Sequence, residues 1–309
     1  MSLVVIGSMA FDTVETPYGK RERVLGGSAN YFSLSASFFT DVKLVAVVGE
    51  DFPKEHIAFL NERGISTEGL IQSSGETFHW SGRYEGDMNE AETLATELNV
   101  FADFDPTLPE SYRDAESVFL ANIDPELQLK VLEQIKSPKM VGLDTMNFWI
   151  HSKREALEKV ISKVNMVFIN DTEARELSGE HNIVRAAHGI QKMGATSVVI
   201  KRGEYGALFF QGDEIFFVPA FPLEDVRDPT GAGDTFAGGF MGWIDRNTAD
   251  LSEAVARQAM LTGTIMASHV VEDFSFERMR TLTPGEITKR CHRLRDMAHI
   301  EGNFSLPES

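Results

Sequence analysis

The sequence predicts an α/β protein with a mostly parallel sheet, helices on both faces, and a small β flap inserted near residue 80. Three observations predict it. Short apolar, β-favouring runs recur without polar alternation, as in strands buried on both faces. Helical patterns lie between most of the earlier runs, so strand and helix alternate as in βαβ units. Residues 77–84 break the order and alternate with period two.

The runs at 3–6 and 42–48 frame a helix over 28–39 that follows a glycine pair. Pro53 opens a helix over 53–63 and Pro125 one over 125–136; proline suits the first turn, where its missing N–H costs nothing. Ser152 is placed as the N-cap of a helix over 152–164, and a further helix covers 182–193. Strands are expected at 118–120, 140–143, 166–169 and 198–200, then at 207–210 and 215–221. Leu251, Val255, Ala259, Thr262, Met266 and Val270 make a stripe at helical spacing that reads as core.

The interruption spans roughly residues 72–104. Phe78, Trp80 and Tyr84 fall on one side of it, and Thr77, His79, Ser81 and Arg83 on the other. That is the signature of an antiparallel piece with one wet face. We read it as a lid, with residues 12–25 as its second part; a surface hairpin without a role is the plainer alternative. Residues 1–309 otherwise form one domain, since a single core can reach about this size.

Lys+Arg 29 against Asp+Glu 47 leaves a net charge of −18, which repels phosphate backbones and anionic lipid. Nucleic acid and membranes are therefore not expected as partners. The single cysteine, Cys291, rules out a disulfide within the chain and a thiolate metal cluster. No apolar stretch is long enough to span a bilayer, and the expected location is the cytoplasm. The P-loop, the dinucleotide G-x-G-x-x-G after a strand, H-E-x-x-H and G-x-S-x-G are all absent, so hydride transfer, zinc hydrolysis and serine hydrolysis lose ground.

The most informative stretch is Asp-Pro-Thr-Gly-Ala-Gly-Asp-Thr-Phe-Ala-Gly-Gly-Phe, residues 228–240. Gly231, Ala232 and Gly233 have almost no side-chain bulk, so several backbone N–H groups can face outward at the start of a helix. Such donors, with the helix dipole, make an anion site. They also suit the charge that spreads over a phosphoryl group in flight. Asp234 follows directly and can take a proton from an attacking hydroxyl. Alone, the segment also reads as a tight turn with a first-turn acid.

It is not alone. Residues 228–241 resemble the second signature of the ribokinase-like carbohydrate kinases, the pfkB group. Gly7-Ser8, Asp12, Gly26-Gly27-Ser-Ala-Asn30 and the strand and turn over 42–52 resemble the family's N-terminal region. Asn170-Asp-Thr-Glu173 looks like its N-x-x-E motif, and residues 201–207 like the glycine turn beside the nucleotide phosphates. The resemblance covers about residues 3–274 and implies a doubly wound, mostly parallel sheet with a small β lid. It further implies ATP-dependent phosphorylation of a hydroxymethyl group on a sugar, with a nucleoside kinase of the same fold as the alternative. A catalytically idle binding protein is the reading from another class, and Asp234 argues against it.

By matching motif, Asp234 would be the base and Gly231, Ala232 and Gly233 the anion hole. Asp12, Gly27 and Asn30 would hold acceptor hydroxyls. Asn170, Lys201 and Gly203 would meet the nucleotide, and Glu173 would organise magnesium through water. Asp228 would border a monovalent-cation site, making potassium a candidate activator, and two copies would pair through the lid. The chain departs from the family twice. The glycine pair stands one residue closer to Asn30 than in G-G-x-x-x-N, and Lys201 stands where threonine is common. Asp144-Thr-Met-Asn147 loosely resembles a D-x-N element facing the active site. For a nucleoside acceptor, Phe11, Phe78 or Trp80 would stack on the base. A phosphorylated acceptor would call for Lys20, Arg21, Arg23 or Arg83.

Overall fold

The computed structural model describes residues 2–86 and 88–299. Along the chain the strands are β1 Leu3–Ile6, β2 Ala10–Thr16, β3 Gly19–Gly26, β4 Val42–Val48, β5 Ile65–Gln72, β6 His79–Tyr84 and β7 Ala91–Glu97. They continue as β8 Ser117–Leu120, β9 Met140–Asp144, β10 Met166–Asn170, β11 Ser197–Lys201, β12 Ala207–Gln211 and β13 Glu214–Val218. The helices begin with α1 Ser28–Ala36, α2 Lys54–Glu62, α3 Pro125–Leu132, α4 Asn147–Ser152, α5 Arg154–Ile161 and α6 Asp171–Ser178. After them come α7 Ile183–Lys192, α8 Ala232–Arg246, α9 Glu253–Val270, α10 Glu277–Thr281 and α11 Pro284–Ala298.

Nine strands form one sheet in the order β13-β12-β11-β10-β9-β8-β1-β4-β5. All neighbours are parallel except at the β11–β12–β13 end, where tight connections reverse the chain. From β1 the chain winds outward through β4 and β5, then restarts at β8 on the other side. That doubly wound order puts a switch point between β1 and β8, with strand carboxyl ends all opening on one edge. The residues of β1 alternate between two cores. Leu3 and Val5 face α1, α2, α8 and α9, while Val4 and Ile6 face α3, α5, α6 and α7. The unbroken apolar runs are thus the mark of a sheet wetted on neither face. Among the described residues no helix is long and apolar enough to cross a membrane.

A second sheet has the order β3-β2-β6-β7. β6 pairs antiparallel with β7, as the periodicity suggests, but lies parallel to β2. β7 is exposed along its whole length and forms the open edge.

Two local expectations need correction. Ser152 ends α4 rather than capping α5: its hydroxyl donates to the Phe148 carbonyl, and the break falls at Lys153. β5 went unrecognised because, as an edge strand, it buries only Ile65 and Gly69 fully and reads polar elsewhere.

Candidate active site

Three parallel strands deliver polar residues to the carboxyl edge at their last positions: Asp144 on β9, Asn170 on β10 and Lys201 on β11. α8 starts opposite them. Its N-cap, Gly231, has φ +73, and a Cβ there would lie 2.4 Å from the ring of Tyr31. Only glycine fits both the left-handed backbone and that close ring. A Cβ on Gly233 would lie 3.0 Å from Lys201 Nζ, so the lysine lies directly against the glycine turn. Replacing Gly231 by alanine is expected to cost about 2–5 kcal/mol, the sum of left-handed strain and overpacking, read as a lower midpoint in urea unfolding.

Asp234 lies in the first turn of α8. Burial and the nearby Asp144 push its carboxyl up to about 7, while Lys201 pulls the other way. Lys201 Nζ donates to Asp144 Oδ2 at 2.7 Å, and Asp144 is 4% exposed. Burial disfavours the lysine's charge, but Asp144 and Glu173 outweigh it and hold the ammonium above its usual value.

Asn170 and Glu173 form the capping box of α6: Glu173 N–H donates to Asn170 Oδ1 at 2.7 Å, and Asn170 N–H donates to Glu173 Oε2 at 3.0 Å. Burial pushes the Glu173 carboxyl up to about 7 against the pull of Lys201. Gly203 turns at φ +53, and the space of its missing side chain is taken by Asn89 of the small sheet's β6–β7 hairpin.

On the other side of the cleft Asp12 is 4% exposed. A Cβ on Gly26 would lie 1.9 Å from its Oδ2, and the Gly27 N–H bonds to its carboxylate. The glycine pair therefore seats Asp12. Burial, then the charges of Asp228 and Asp234, push the Asp12 carboxyl up to about 8. Asp228 accepts from Thr230 N–H at 2.9 Å and Ser275 N–H at 3.0 Å, tying the loop before α8 to the segment after α9.

Asn30 does not face this cleft, which corrects its expected place. It is 0% exposed; its Nδ2 donates to the Gly26 carbonyl and its Oδ1 meets His56 Nε2 at 2.9 Å. Burial holds His56 down to about 3, so the ring is neutral and the pair is a structural hydrogen bond. Tyr31, one residue on, takes the cleft position. Sequence reasoning missed it; its signal is that G-G-x-x-x-N counted from Gly26 ends on residue 31, which puts Tyr31 where the motif has asparagine.

The small sheet closes over the cleft. Thr230 Oγ1 donates to Tyr84 Oη at 3.3 Å, so the face of β6 carrying Tyr84 looks onto the glycine turn. Trp80 shares that face, and it is Asp12's register partner across β2 and β6. Its indole lies over Gly82, and its N–H donates to Thr93. Phe78 instead stacks on Phe101, and Phe11 is 6% exposed against Phe52. Arg83 points to the opposite face and pairs with Glu15 at 3.5 Å. Lys20 pairs with Glu22, Arg23 with Asp51, and Arg21 lies over Phe274.

A doubly wound sheet with a carboxylate behind a glycine turn, opposed by a second carboxylate across a closed cleft, defines an alcohol phosphotransferase. Residues 1–272 match the pfkB family carbohydrate kinase model, and the chain belongs to that family. It is 36% identical to the cytidine kinase of Thermococcus kodakarensis over 253 residues, covering 80% of this chain and 89% of that protein. It is 28% identical to a nucleoside kinase of Methanothermobacter thermautotrophicus, covering 93% of this chain and 94% of the other. In fold it matches the Burkholderia thailandensis nucleoside kinase solved with inosine, with a TM-score of 0.73 at 18% identity, covering 94% and 98% of the two chains. It also matches a putative ribokinase II from E. coli solved with ATP and magnesium, with a TM-score of 0.77 at 18% identity, covering 94% and 99%.

Proposed function

We propose that the chain moves the γ-phosphoryl group of ATP to the hydroxymethyl group of a nucleoside. The observation that carries this is Trp80, an aromatic face beside Asp12 on the side of the small sheet that looks onto the glycine turn. A base gains from stacking on such a platform; the C–H face of a sugar ring can also pack on an indole, so the choice of a base leans on the relatives as well. The cytidine and nucleoside kinases among the relatives support the same reading. Arg83, turned to the far face and paired with Glu15, does not face the acceptor side, which favours a neutral acceptor.

Each residue then has a task. Asp12 accepts from the acceptor's ring hydroxyls. Asp234 takes the proton of the hydroxymethyl group as its oxygen attacks. The N–H groups of Gly231, Ala232 and Gly233 hold the transferred anion. Lys201 neutralises a nucleotide phosphate while keeping Asp144 paired, and Asn170 Nδ2, which has no partner among the described residues, donates to another. Gly203 lets the backbone approach that phosphate.

Magnesium, when bound with the nucleotide, supplies further neutralisation of phosphate charge. Among the described residues no group of three or more His, Cys, Asp or Glu could cage a metal. Glu173 Oε1, the oxygen outside the capping box, fits a metal that arrives on phosphates and keeps its waters. Glu173→Gln is expected to raise the magnesium needed for half-maximal rate several-fold; an unchanged titration would leave Glu173 only a helix cap. Potassium activation through Asp228 belongs to the same reading, and a rate unchanged when sodium replaces potassium would remove it. Pairing of two copies along the open edge of β7 would cover that edge, and multi-angle light scattering of the purified chain distinguishes monomer from dimer. A cytoplasmic setting suits ATP use and the lone thiol.

The test is ATP consumption across a panel of nucleosides and free sugars. We expect turnover of a nucleoside. Turnover of a free sugar with every nucleoside inert would replace this reading with a sugar kinase of the same mechanism.

A further inference from the structure

Phe221, in the loop after β13, and His269, near the end of α9, line a cavity of about 230 Å³ that α10 and α11 close with charged side chains. One water needs only about 10–15 Å³ of such space, so the cavity has room for a ligand larger than a simple ion. Its lining carries four cations, Arg278, Lys289, Arg290 and Arg293, and one carboxylate, Glu286. Glu272, bonded to Arg278, Arg290 and His269, adds a second carboxylate. His269 adds no charge, because burial and Arg290 hold it down to about 4. Both carboxylates are spent: Glu272 accepts from Arg290 at 2.8 Å, and Glu286 accepts from Arg278 at 2.6 Å and from the Thr283 hydroxyl at 2.8 Å. Lys289 and Arg293 have no carboxylate partner among the described residues. In a chain of net charge −18, a hollow with four cations against two carboxylates runs against the composition. A concave surface of one sign focuses its field and concentrates counter-ions.

The cations are also held in place. Arg290 Nη1 donates to the carbonyl and to the hydroxyl of Ser268, both at 3.1 Å, and its guanidinium lies 4.7 Å from the centre of the Phe221 ring. The Arg293 guanidinium lies 5.5 Å from the same ring. The ring attracts both, but two like charges so close repel each other, and an anion shared between them relieves that repulsion. A phosphate monoester carries about −1.5 to −2 charges at neutral pH, which matches the excess of cations. Its oxygens fit the planar guanidinium fork, and the remaining space takes the body of the ester. We propose that the cavity between α9, α10 and α11 is a second anion site, in which Lys289, Arg290 and Arg293 bind the phosphate of a small phosphate monoester. None of its lining residues belongs to the cleft described above, so the site does not depend on which acceptor the cleft takes.

The experiment is calorimetric titration of the full chain with glycerol 2-phosphate, with saturating ADP and magnesium present to hold the nucleotide side of the cleft. Wild type is expected to bind it, and to bind neutral glycerol not at all. Changing Lys289→Ala and Arg293→Ala together should weaken binding by roughly 10-fold or more, the scale of lost charge-assisted contacts. Both side chains are exposed on α11, so thermal melts and kcat should match wild type. A control with Lys159→Ala and Lys163→Ala, exposed at the far side of the charge ledger on and after α5, makes the same change in net charge and should bind as wild type does. No binding by wild type, equal loss in the control, or an unchanged affinity in the α11 variant overturns the proposal. Suppression of binding by ADP overturns it too, because the anion would then be in the nucleotide's place. Inorganic phosphate binding as tightly as the ester would overturn the monoester as the ligand.

Discussion

Replacing Asp234 by asparagine is expected to lower kcat by roughly 10²–10⁴-fold, the worth of a positioned base. The amide keeps shape and size but cannot take a proton. Nucleotide and acceptor binding should survive, since the glycine turn and Asp12 are untouched. The raised pKa of about 7 gives the prediction two further handles. In wild type the base must be ionised, so kcat/KM should fall roughly tenfold per pH unit below about 7. Stability should move the opposite way. A carboxyl with a raised folded-state pKa holds its proton more tightly folded than unfolded, so folding loses stability as pH climbs from about 4 to about 7. Asparagine carries no such penalty. The variant should therefore melt higher than wild type at pH 8 and no higher at pH 4. Retention of more than about a tenth of kcat would remove Asp234 from the base role, whatever the melting curves show.

The glycine turn and its acid were legible because the chemistry lies in one contiguous segment, residues 228–240, whose composition has few other uses. The doubly wound sheet was legible for a related reason: strands buried on both faces leave unbroken apolar runs, and β1, β4 and β8–β11 all carry them. Asn30 and Tyr31 were not. Consecutive helical residues point about 100° apart, so an error of one position exchanges a cleft residue for a core residue. Asn30 is a plausible sugar ligand by type, and only its bond to His56, from α2, shows it to be spent. The pairing of Lys201 with Asp144 was equally hidden. The two lie 57 residues apart and meet only because β10 separates β9 from β11 and all three end at one edge. Trp80 was legible as a candidate, but choosing it over Phe78 and Phe11 needed the register of β6 against β2.

Lys201→Met should have the second-largest effect and should act through Asp234 as well as through phosphate. Three carboxyls, Asp144, Glu173 and Asp234, bear on this one ammonium. Methionine fills much the same space, so the loss is mainly of charge. Asp144 is then a buried carboxylate without its partner, and breaking such a pair costs roughly 3–5 kcal/mol when the remaining charge stays. The protein can reduce that cost by protonating the cluster, which raises the pKa of the base further. Opposite charges at this range shift a carboxyl by about 1–3 units, so the acid limb of kcat/KM should move to higher pH by that order. At pH 7 this alone removes roughly 10-fold or more of the activity, before any loss of nucleotide affinity. The two contributions separate experimentally: the KM for ATP reports the phosphate contact, and the pH profile at saturating ATP reports the coupling to Asp234. An acid limb that stays in place would show that Lys201 serves the nucleotide alone. An unchanged KM with a shifted limb would show the reverse, that the lysine exists to keep the base ionised.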